Sequence, residues 1–66
     1  MGINELANEA QNKKQAFVAL RNARCEYAEI KRAAEAYADA IAAWHKARFP
    51  SKRFRKPSAA YLIRAI

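Results

Sequence analysis

The residues best able to do chemistry in this chain are clustered near its C-terminal end. In Lys52-Arg53-Phe54-Arg55-Lys56 four cations surround one phenylalanine. That pattern suits charge-assisted contacts to phosphates or carboxylates, with stacking or apolar contact through the ring. Lys46 and Arg48 extend the positive charge upstream, and no acid follows Asp39. We therefore take Lys46, Arg48, Lys52, Arg53, Phe54, Arg55 and Lys56 as the partner-binding residues.

Catalysis is not expected, and no catalytic residue is assigned. His45 is the only histidine, and a His–acid pair would need Asp39, six residues earlier, or a carboxylate on another helix. A single helical histidine without a nucleophile and an orienting group is not a catalytic set. Cys25 lies between Arg24 and Glu26, where a lone small residue on a helix is better explained by packing than by reactivity. One His and one Cys cannot furnish a four-ligand structural zinc site, so no metal is assigned. One glycine excludes a glycine-rich phosphate loop, and no cofactor is implied.

The elements that must present these residues are helical. Glycine occurs only at position 2 and proline only at 50 and 57, so residues 3–48 contain no strong helix breaker. Alanine and good helix formers fill that span, which predicts an all-α fold in one domain covering residues 1–66. Leu20, Ala23, Tyr27, Ile30, Ala34, Tyr37, Ile41 and Trp44 follow alternating steps of three and four, the seam of a helix packed along its length. Ile3, Leu6, Ala10, Phe17 and Leu20 follow a similar rhythm upstream, and the two registers meet through successive steps of three at 17–20–23. Overwinding of one continuous helix would absorb that slip. A break into a helical hairpin near residues 21–25 would absorb it equally, with Asn22 the residue best suited to a left-handed conformation. Both readings stay open on the sequence.

Helix boundaries follow from local signals. Asn4-Glu5 reads as an N-cap with a carboxylate in the first turn, and Asn12 with Gln15 suggests a second start near Lys13. Glu9 with Lys13, and Lys31 with Glu35, have the spacing of pairs along one helix face. Phe49-Pro50 should stop the main helix near Arg48. A basic connector over 49–57 follows, and Ser58 should cap a short helix over 58–66 with Ala59, Leu62, Ile63 and Ile66 on one side. Such a helix is too short to stand alone and must dock.

Charge divides the chain in two. Residues 1–39 balance six basic against six acidic side chains, so the whole net charge of +7 lies in residues 40–66. No run of about 18 apolar residues is present, which excludes a membrane helix. The N-terminal residues lack a signal-peptide apolar run, and an unpaired thiol suits a reducing compartment, so a cytoplasmic location is expected. A chain of 66 residues without disulfide or metal usually needs a partner for stability. A seam of eight positions also exceeds what the last helix can cover, so the eight seam residues are expected to join two copies in a dimeric helical bundle.

These observations predict a non-enzymatic helical binding protein that associates with itself and docks on another protein, an acidic one, to regulate or inhibit it. Nucleic acid is the alternative partner, contacted through its phosphates, although no DNA-reading module is present. In organisation alone the chain is similar to compact accessory proteins with which bacteriophages and mobile elements disable host regulators or defence factors. That likeness assigns no residue.

Overall fold

The structure is a computed structural model that describes residues 2–65. Three helices occur in the order α1 (Ile3–Asn22), α2 (Tyr27–Arg48) and α3 (Ala59–Ala65), and the described residues contain no strand. The fold is all-α, and of the two readings left open by the sequence it adopts the hairpin. α1 and α2 lie side by side in opposite directions, and α3 packs on α2.

The energetic reason for folding back lies in Phe17. It is fully buried, in one cluster with Ala34, Ala38 and Leu62, and its ring stacks on Tyr37 with centroids 6.3 Å apart. A continuous helix in a single chain would leave that ring in water, whereas burying a large aromatic side chain contributes about 1.5–3 kcal/mol. The alanines at 33, 34 and 38 let neighbouring helices approach closely enough to enclose it.

The turn is built without glycine. Ala23 ends α1, Arg24 takes a left-handed conformation (φ 56°), and two hydrogen bonds close the loop. Arg24 N–H donates to Arg21 C=O (3.1 Å) and Cys25 N–H to Leu20 C=O (3.2 Å). This is a Schellman motif, which satisfies carbonyls that the helix end would otherwise orphan. The expected left-handed residue, Asn22, is instead the last helical residue of α1. The closing bonds place the left-handed residue two positions further on, at Arg24.

Two other boundary expectations fail. Gly2, not Asn4, caps α1, its carbonyl accepting from Leu6 N–H at 3.0 Å; Asn4 and Glu5 sit inside the first turn, where the carboxylate still complements the helix dipole. No second start occurs at Asn12, because good helix formers carry α1 straight through. The pairs Glu9–Lys13 and Lys31–Glu35 are absent, all four side chains being exposed and left to water.

The C-terminal boundaries follow the sequence. α2 ends at Arg48, and Pro50 occupies the second position of a turn closed by Lys52 N–H to Phe49 C=O (3.1 Å). Ser58 Oγ accepts from Tyr61 N–H at 3.2 Å and caps α3. Leu62 is buried, and Ala59 and Ile63 pack around it; Ile66, expected on the same face, lies outside the described residues. The outline is a rod of 37 × 21 × 15 Å.

Candidate binding surface

The connector is not a loose tail. Phe54 stacks on His45, ring centroids 4.4 Å apart and planes 21° from parallel, and His45 in turn meets Phe49 at 5.0 Å. Trp44 lies edge-on to Phe49 at 6.4 Å. Because 45 and 49 are one helical turn apart and Trp44 adjoins His45, the end of α2 and its capping residue Phe49 bring the three rings together, and Phe54 folds back onto His45. His45 Nδ1 is buried without a hydrogen-bond partner, so ring contacts hold this side chain.

Cations surround that aromatic platform. The Arg48 guanidinium lies 5.5 Å and the Lys52 ammonium 5.3 Å from the Phe49 ring centre, within cation–π range. Lys46, Lys52 and Arg53, with Ala42, Pro50 and Phe54, line an open basic concavity of about 470 Å³. Arg55 is also exposed. Lys56 differs from the others: its Nζ donates to Asp39 Oδ1 at 2.8 Å, the sole ion pair among the described residues. That hydrogen bond, and then the carboxylate's charge, hold the Lys56 ammonium above the ordinary lysine value of 10.5. Lys56 therefore ties the connector to α2.

The eight expected seam residues do not form one stripe, because the turn interrupts them. Ala23 is exposed in the turn, and Tyr27 is 61% exposed at the start of α2. Leu20 is half-buried and lends its carbonyl to the turn. Ala34 is fully buried within the molecule, and Ile30 and Tyr37 pack against the same core. The lower part of the seam borders a groove of about 270 Å³, across which half-buried Tyr37, Ile41 and Trp44 face Ala7, Ala10 and Gln11 of α1.

Several residues of this surface were not assigned from the sequence. His45 and Phe49 are one turn apart, a spacing that marks them as neighbours. Asp39 is 17 positions from Lys56, and no local pattern signals their pairing. Ala7 and Gln11 become groove walls only through the hairpin.

Among the described residues, no three His, Cys, Asp or Glu side chains converge as metal ligands, and no helix is long and apolar enough to cross a membrane. The fold and this surface define a three-helix protein with one basic, aromatic pole. No protein-family model, curated protein or solved structure matches the chain.

Proposed function

We propose that this is a non-enzymatic binding protein that docks through its basic pole on an acidic surface of another protein and thereby regulates or inhibits it. The observation that carries the reading is the juxtaposition of free cations with a fixed aromatic platform and an apolar groove. Trp44 belongs to both platform and groove. Protein interfaces combine an apolar anchor with a polar rim, and Trp, Tyr and Arg are the residue types enriched where binding energy concentrates.

The basic concavity beside Phe54 favours a second partner, the phosphate backbone of nucleic acid. That partner would use the cations and leave the apolar groove empty, which places it second. Self-association is a competing use of the groove. The uncovered seam that motivated a dimer is reduced by the hairpin, since Ala34 lies inside one chain.

The test uses the triple variant Lys52→Ala, Arg53→Ala, Arg55→Ala, which spares the Lys56 tether. Circular dichroism should be unchanged, because exposed charges contribute little to stability. Tagged parent protein should retain an acidic protein from nuclease-treated lysate, and the triple variant should lose it. Retention abolished by nuclease assigns the pole to nucleic acid, and equal retention by both forms removes its binding role.

A further inference from the structure

We propose that the open groove receives the apolar face of an acidic amphipathic helix supplied by a protein partner. This rests on the docking reading above and names the partner's form. The groove runs between α1 and α2, with Ala7, Ala10 and Gln11 on one wall and Tyr37, Ile41 and Trp44 on the other. On the α2 wall the three large residues follow at steps of four and three, so they form one continuous stripe along the helix. On the α1 wall two alanines leave room for incoming side chains.

The molecule already contains one such docking. α3 lays Leu62 and Ile63 against Phe17, Ala34, Ala38 and Tyr37, and Tyr37 also borders the open groove. α3 has seven residues and covers one stretch of the hairpin; the groove side of half-buried Tyr37, Ile41 and Trp44 is left open. An amphipathic helix with apolar residues at i, i+4 and i+7 is the form that fits a groove between helices.

Charge chooses the occupant. A second copy seated with its pole beside this one would set like charges against each other across the interface, which opposes association. Arg48 follows Ile41 and Trp44 on the same face of α2, seven and four positions on, and Lys52 lies beside Phe49. An occupant carrying Glu or Asp beside its apolar face meets these cations.

Trp44 is the only tryptophan and lines the groove, so its fluorescence responds to an occupant there, and the Ala7→Glu variant separates that response from docking on the platform. The probe is a synthetic helix of about 18 residues, long enough for appreciable helicity, with Leu at i, i+4 and i+7 and Glu on the flanks. Labelled peptide anisotropy reads binding anywhere on the protein. The expected result is saturable binding with a blue shift of Trp44 emission. A scrambled peptide of identical composition and a twin with Lys for Glu should each bind about tenfold or more weakly, without the shift. Ala7→Glu, an exposed change to another good helix former, should abolish the shift while leaving circular dichroism intact.

Equal binding by the scrambled peptide without a shift overturns the groove inference while leaving the basic-pole reading standing. Binding by neither acidic peptide overturns the inference, and the lysate experiment then decides the pole separately. A concentration-dependent shift of the protein alone, with dimer in sedimentation, assigns the groove to a second copy and overturns the proposal. So does a shift produced by a short DNA duplex and not by peptide.

Discussion

Lys56 and Asp39 join positions far apart in sequence by one exposed hydrogen-bonded ion pair. Lys56 has its pKa raised above 10.5 in the folded chain, so the pair's contribution is fully present below the unfolded value and is lost as pH rises through the higher folded value. The tether should therefore hold throughout neutral pH and release in strongly alkaline solution. Asp39→Asn should release it at pH 7. The check is proteolysis of the connector by trypsin at Lys52 and Arg53, expected to be faster in the variant while helicity is unchanged; equal cleavage rates would mean that ring stacking of Phe54 alone holds the segment. At this scale the sequence was partly legible. The cations and Phe54 were readable as a cluster because they are adjacent, whereas Asp39 was not, because a long-range partner leaves no local periodicity.

Between α1 and α2 the chain turns through Arg24 in a left-handed conformation that costs an L-residue about 1–2 kcal/mol. Arg24→Gly removes that cost and forfeits some unfolded-state restriction, with a net gain of about 0.5–1 kcal/mol. For a chain of this length that raises the thermal midpoint by about 2–8 °C. Thermal circular dichroism measures it, and a fall in midpoint would show that the arginine side chain itself supports the turn. The contrast between this turn and the end of α2 explains what sequence could reveal about the elements. Pro50 and Ser58 act on their immediate neighbours, so the stop at Arg48 and the start of α3 were readable. Nothing local forces a break at 23–26: the apolar slip at 17–20–23 was visible, but it fitted an overwound helix as well as a hairpin. Packing of Phe17 against Ala34 and Ala38 decides between them, and that interaction exists only once the chain has folded back.

At the scale of the whole molecule, four buried side chains among the described residues hold the three helices together. Stability of about 0.05–0.15 kcal/mol per residue gives a chain of 66 residues only about 3–10 kcal/mol. Leu62→Ala should cost about 2–5 kcal/mol, a large part of that total, and α3 should detach. The thermal midpoint should fall by about 10 °C or more; a midpoint unchanged in the variant would mean that α3 adds nothing to the hairpin. The separation of charge has a further consequence at this scale. α2 spans about 33 Å, with the turn at one end and the free cations at the other. That is roughly four screening lengths at physiological ionic strength. An approaching anionic surface therefore exerts a torque on one tip of the rod and leaves the opposite tip unaffected. In the proposed docking the molecule therefore arrives pole first, with Cys25 and the loop around it pointing away from the partner.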